Sequence, residues 1–191
     1  LASSNDMVTF KRHGLVFCPE NKDVVLFPQQ IEDQYVALHR PNPNSHFSPP
    51  QIWIARSPDL LHWGGHKCLY RGQAGWESDR VGGGTPPILI EEGWLHLYHG
   101  SRRDEREGHV GEYSVGGLLL DRDNPARVLA RSTQPIMRPM AEFERSGFVP
   151  RVVFPTAVIE HDGLINVFYG AADTSTGVVR FVKQDMLDAL N

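Results

Sequence analysis

The chain has 191 residues, 40% of them hydrophobic, with 19 Lys and Arg against 23 Asp and Glu and a net charge of −4. That length can bury one sizeable core, and the charge lacks the basic footprint of a nucleic-acid binder. No apolar run approaches the ~20 residues that cross a membrane, and the two cysteines, Cys18 and Cys68, are too few and too far apart for a disulfide framework or a zinc knuckle.

The 18 glycines and 14 prolines fall between short β-rich runs, the pattern of an all-β domain. In chain order the predicted strands are "KDVVLFP", "QYVALHR", "QIWIARS", "PPILI", "WLHLYHG", "VGGLLLD", "RVVFPTAVIE", "GLINVFYG" and "GVVRFVK". Only the closing "KQDMLDALN" reads as a helix, short and near residues 184–190. The opening "LASSNDMVTFKRHG" lacks the apolar core of a leader. With both cysteines read as reduced thiols, a cytoplasmic protein is expected. His62 and His66 are separated by Gly64 and Gly65, which break the helix that would align them on a metal, so no metal site is expected. The run Gly82-Gly83-Gly84 lacks the Lys-Ser/Thr pair and following helix of a phosphate loop. Close backbone approach or a bulge is the better reading there. "RRDERE", residues 102–107, is a mixed-sign run of the kind found in solvated loops.

The chain also repeats itself. "LFPQQIEDQYVALHR" ends in Arg40, "TPPILIEEGWLHLYHG" carries His99 at the matching place, and "VFPTAVIEHDGLINVFYG" carries Tyr169 there. Each copy is a proline, a short strand, an acidic turn, an apolar-alternating strand and a polar side chain at its end. A unit of ~50 residues with about four strands is the mark of a β-propeller blade, and matching positions of successive blades surround the central channel. Arg40, His99 and Tyr169 are therefore expected to face one shared space. A sandwich is the rival architecture. Propellers need at least four blades and this chain supplies about three, so an open set of blades with an apolar flank is expected.

Taken together and in order, "ENKDVVLFP", "HRP", "IWIARSPDLLHWG", "RVGGGTPPI", "EEGWLHLYHG", "LLLDRDNPARVLAR", "VPRVVFPT" and "YGAADT" resemble the C-terminal part of glycoside hydrolase family 130. The likeness runs from about Phe17 to Thr174. It implies a five-bladed β-propeller, with residues 1–191 forming a single incomplete domain of about three blades. It also implies inverting phosphorolysis of β-mannosides to mannose-1-phosphate, with inorganic phosphate as co-substrate and no other cofactor. Lys22 of "NKD" and His99 of "YHG" match residues that hold phosphate in that family. Tyr113 is the nearest match to a tyrosine that lines the same site, and Asp173 of "YGAAD" to one that binds the mannose ring.

The residue chemistry suits such a site. Lysine offers a compact charge, arginine a forked donor and histidine a directional one. Arg40, at the repeat position of His99, would join the phosphate site, and Tyr169 would face the sugar. Blander roles stand beside these: Lys22 paired with Asp23 or Glu20, and Asp173 as a turn residue. The partners expected are a β-mannoside oligosaccharide and phosphate, with neither nucleic acid nor membrane, and a homo-oligomer is one way to complete the ring. The family's general acid lies in an Asp-Pro-Arg motif. Asp59, Asp121 and Asp123 are followed by Leu, Arg and Asn, so the acid is expected upstream of Leu1 and the isolated chain is expected to be almost inactive. Two alternatives remain. An inverting β-mannosidase would need a second carboxylate ~6.5–9.5 Å from the acid to activate water, with Glu77 and Glu112 as candidates. A non-catalytic carbohydrate-binding fragment would use Trp53, Trp63, Trp76 and Trp94 as stacking platforms.

Overall fold

The computed structural model describes residues 1–42, 48–104 and 110–190. Residues 105–107 of the mixed-sign run lie outside the described residues. Almost all regular structure is antiparallel strand. A small hairpin of β1 (Ala2–Ser3) and β2 (Lys11–Arg12) precedes the first large sheet. That sheet runs in sequence order through β3 (Asn21–Leu26), β4 (Tyr35–Pro41), β5 (Ile52–Ser57) and β6 (Gly64–Tyr70). The second is built on β9 (Gly93–Arg102), which pairs along successive stretches with β7 (Arg80–Gly83) and β8 (Ile88–Ile90). On its other side lie β10 (Glu112–Leu120) and β11 (Val128–Arg131). After the one-turn α1 (Glu142–Arg145), β12 (Val153–His161), β13 (Leu164–Ala171) and β14 (Ser175–Val182) make the third sheet, and α2 (Lys183–Asp188) follows.

Turn chemistry sets these hairpins. Glu32 and Asp33, joining β3 to β4, have φ of 53° and 57°. Asp162 and Gly163, joining β12 to β13, have φ of 51° and 75°. Two consecutive left-handed residues match the right-handed twist of the flanking strands, and Asp-Gly is a preferred pair for it. The acidic turns of the first and third repeats therefore have a backbone reason.

Alternation along β9 divides the core. Trp94 and Tyr98 face the first sheet, where they meet Phe27, Leu38 and Ile54. Leu95 and Leu97 face the third, against Val153, Ile165 and Val167. Every residue from Gly93 to Ser101 is buried, so the second sheet is the middle layer of the molecule. Met186 of α2 and Leu190 close the second cluster. Burial of a large apolar side chain contributes roughly 1.5–3 kcal/mol, which makes β9 the strand that ties the three sheets together. Among the described residues no sheet closes on itself. Ile159, Val178 and Val182 stand more than half or close to half exposed on the third sheet.

Candidate functional site

β3 does not run straight. Its register with β4 shifts between Lys22 and Val25, so that Asp23 and Val24 together oppose His39. Asp23 takes the left-handed conformation at the bulge, φ 54°, a region that aspartate enters more readily than most residues. Bulges re-aim side chains, and this one turns the Asp23 carboxylate inward while Lys22 stays exposed beside it, opposite Arg40. Arg40, on the face of β4 that carries Val36 and Leu38, projects toward the second sheet with a side chain only 3% exposed.

There Arg40 meets His99. Asp23 Oδ2 lies 2.7 Å from Arg40 Nη1 and 3.6 Å from His99 Nε2, and Arg40 Nη1 lies 3.0 Å from His99 Nε2. His99 Nδ1 is 3.1 Å from the Gly83 carbonyl. A carbonyl can only accept, so Nδ1 carries the ring proton and Nε2 receives the Arg40 donor. The ring is clamped between Phe154 at 4.4 Å and Tyr113 at 5.7 Å, centroid to centroid. Gly82, paired with His99 in register, makes the meeting possible. A Cβ there would fall 2.3 Å from Asp23 Oδ2, 2.6 Å from His99 Cε1 and 2.8 Å from Arg40 Nη1. The glycine run is thus a window through which two sheets join their polar groups, as close backbone approach predicts.

Electrostatics follow from burial. Desolvation, reinforced by the charges of Arg40, Arg80 and Lys22, pushes the His99 pKa down to about 3, leaving a neutral ring. Burial raises the Asp23 carboxyl against the pull of Arg40, Lys22 and Arg80, and burial lowers Arg40 against the pull of Asp23. Arg80 Nε pairs with Asp79 at 2.7 Å, and Asp79 also accepts from Ser101 Oγ at 3.2 Å. Lys22, Arg40 and Arg80 therefore gather near one neutral imidazole and two carboxylates, Asp23 and Asp79, a cluster with a small positive excess.

Of the residues predicted from sequence, Lys22, Arg40, His99 and Tyr113 are brought together. Asp23, not Lys22, makes the ion pair with the cluster, while Glu20 accepts from Asn42 at 2.8 Å. Tyr169 turns elsewhere: its hydroxyl donates to Glu144 at 2.7 Å, and Glu144 also accepts from the backbone N–H groups of Met140 and Ala141. Burial and that carboxylate raise the Tyr169 phenol to about 12. Its place in the repeat matches Arg40 and His99, but α1 supplies a local partner that the other two copies lack. Asp173 stands exposed in the left-handed turn between β13 and β14, with Ala172 at φ 47° and Asp173 at φ 50°. That turn is anchored where Val149 N donates to Ala172 O and Phe148 N to Thr174 Oγ1.

Asp23, Arg80 and Phe154 were not singled out in the sequence. Asp23 sits inside "NKD", and an acid beside a lysine reads as that lysine's partner. The carboxylates considered for activating water are both committed. Glu77 is 1% exposed and accepts from Tyr70, Tyr98 and the backbone of Gln73, and Glu112 pairs with Arg151. Among the tryptophans, Trp94 is core, Trp76 stacks on Tyr98, and Trp63 stacks on Phe17.

The family model described as Glyco_hydro_130, beta-1,4-mannooligosaccharide phosphorylase, matches residues 1–191. The chain belongs to glycoside hydrolase family 130. Within family 130 it is 43% identical over 176 residues to a beta-1,2-mannobiose phosphorylase of Listeria innocua, covering 92% of this chain and 48% of that protein. It is 39% identical over 187 residues to a 1,2-beta-oligomannan phosphorylase of a Thermoanaerobacter species, covering 97% of this chain and 59% of that one. The solved structure of the Listeria innocua beta-1,2-mannobiose phosphorylase with beta-1,2-mannobiose superimposes with a TM-score of 0.91 at 39% identity, over 99% of this chain and 52% of that one. The chain thus spans about half the length of the curated relatives it matches.

Proposed function

We propose that residues 1–191 form the phosphate side of the active site of an inverting β-mannoside phosphorylase, and that the three stacked sheets are three blades of a five-bladed propeller. The observation that carries the reading is the buried Asp23–Arg40–His99 cluster with Lys22 beside it and Tyr113 stacked on His99, drawn from four strands of two sheets. Phosphate is the nucleophile that such a cationic hollow would receive. One of its oxygens attacks the anomeric carbon from the face opposite the leaving group, the glycosidic C–O bond breaks, and the leaving oxygen takes its proton from a general acid. In this reading Lys22 supplies the compact charge and Arg40 the forked donor. Tyr113 adds a hydroxyl, and His99 belongs to the cradle through its bond to Arg40. Asp173 accepts from mannose hydroxyls, which fixes the ring for in-line attack, while Tyr169, bonded to Glu144, packs in the core behind the site. The relatives are about twice as long, and the acid is assigned to the part of them that these residues do not cover.

The hydrolytic alternative requires a second free carboxylate to activate water. Both candidates, Glu77 and Glu112, are held by other groups, which supports phosphate over water. The β-1,2 linkage named for the 43% and 39% identical relatives is the substrate class proposed here. The test is cleavage of β-1,2- and β-1,4-mannobiose by the full-length gene product, with and without phosphate. Phosphate-dependent cleavage of the β-1,2 disaccharide is expected. Equal rates without phosphate would overturn the phosphorylase reading, and preference for the β-1,4 disaccharide the linkage.

A further inference from the structure

We infer that Asp23 is the positioning residue of the anion cradle: its carboxylate holds the Arg40 guanidinium against His99 and so decides where the phosphate-facing donors point. The inference rests on the phosphorylase reading of the same site and adds to it a residue that neither strand pattern nor repeat position indicates.

Arg40 is long, and a long guanidinium has many rotamers to lose. Its side chain is 3% exposed, yet among the described residues its Nε has no hydrogen-bond partner. The groups that hold it both act at Nη1: Asp23 Oδ2 at 2.7 Å and His99 Nε2 at 3.0 Å. The Asp23 contact is an ion pair lying off the N–H direction, since among the described residues Oδ2 receives no hydrogen bond. It therefore acts through charge, while His99 supplies direction. A neutral imidazole alone cannot offset a buried guanidinium, and an unpaired buried charge is strongly unfavourable. Removing the Asp23 charge leaves Arg40 with a reason to swing toward solvent, away from His99.

The backbone is arranged for this contact. The bulge places Asp23 in a left-handed conformation that ordinary pairing would not need. Gly82 leaves out the side chain that would occupy the meeting point of Asp23, Arg40 and His99, and a Cβ on Gly83 would lie 2.7 Å from the Asp23 carbonyl. Two independent strands thus make room for one carboxylate. That carboxylate is itself an electrostatic opponent of phosphate, which sharpens the test. A bystander aspartate, when neutralised, would strengthen phosphate binding; a positioning aspartate would weaken it.

The experiment uses the full-length gene product as wild type, Asp23→Asn and Gly82→Ala, with thermal unfolding of each to normalise for folded protein. Both variants are expected to raise KM for phosphate, read at saturating β-1,2-mannobiose, at least tenfold, while KM for the disaccharide, read at saturating phosphate, moves by less than twofold. A lower or unchanged phosphate KM in Asp23→Asn overturns the inference. A second arm needs no turnover. Histidine nitrogen NMR of the phosphate-free protein should show the His99 Nε2 resonance of a hydrogen-bonded acceptor in the wild type, shifted toward that of an unbonded acceptor in Asp23→Asn. An unchanged resonance also overturns it. Loss of phosphate dependence in the wild type would sink the phosphorylase reading, and the spectrum would still decide the role of Asp23.

Discussion

Among the described residues three histidines, His39, His96 and His99, sit where water hardly reaches them, and each is held neutral. Burial lowers His39, with help from His66, to about 4. Burial lowers His96 to about 4 as well, and His99 reaches about 3. An unfolded chain protonates these side chains near their ordinary pKa of about 6.5. The folded chain therefore binds fewer protons between about pH 6.5 and 4, and stability must fall as pH drops through that window. With all three out of step the slope reaches about 4 kcal/mol per pH unit. Asp23, raised by burial, works in the opposite sense near the foot of the window. Urea unfolding at pH 7 and pH 5 is expected to show a markedly lower midpoint at pH 5, and coincident midpoints would contradict neutral buried histidines. The meeting of Arg40 and His99 was legible because the repeat put polar side chains at matching strand ends. Tyr169 shares that position, but Glu144 captures it, and a carboxylate from a non-repeating turn leaves no periodic signal.

At the scale of elements, β9 and β13 were readable because "WLHLYHG" and "GLINVFYG" alternate cleanly. Strands whose pairing depends on backbone alone were not. β7, "RVGG", has little side-chain surface to betray it, and β6 is an exposed edge strand whose first four residues face solvent. The bulge in β3 is invisible as well, since "NKDVVL" keeps its exposed–covered alternation straight through it. The layered core makes a sharper claim about β9. Leu97 is fully buried against the third sheet, whereas Leu89 on β8 is 37% exposed. Leu97→Ala is expected to cost about 2–5 kcal/mol, and Leu89→Ala less than about 1 kcal/mol, by denaturant unfolding. Equal losses would mean that β9 is not the middle strand of a packed core.

At the scale of the whole molecule, residues 1–191 span about half the length of the curated relatives they match. A general acid contributes ~10²–10⁴-fold, and no Asp-Pro-Arg motif occurs in the chain. Residues 1–191 expressed alone are therefore expected to release no detectable mannose-1-phosphate, and turnover at the full-length rate would place the acid within them. Family membership was legible because eight motifs stood in order. The cluster was legible in Lys22, Arg40, His99 and Tyr113 but not in Asp23, whose approach depends on a bulge and a glycine window that no residue pattern announces. The most direct measurement is phosphorus NMR of the full-length gene product acting on β-1,2-mannobiose in phosphate buffer. The expected product is α-mannose-1-phosphate, inverted at the anomeric carbon and formed in step with free mannose from the leaving group. Two equivalents of free mannose and no sugar phosphate would contradict it.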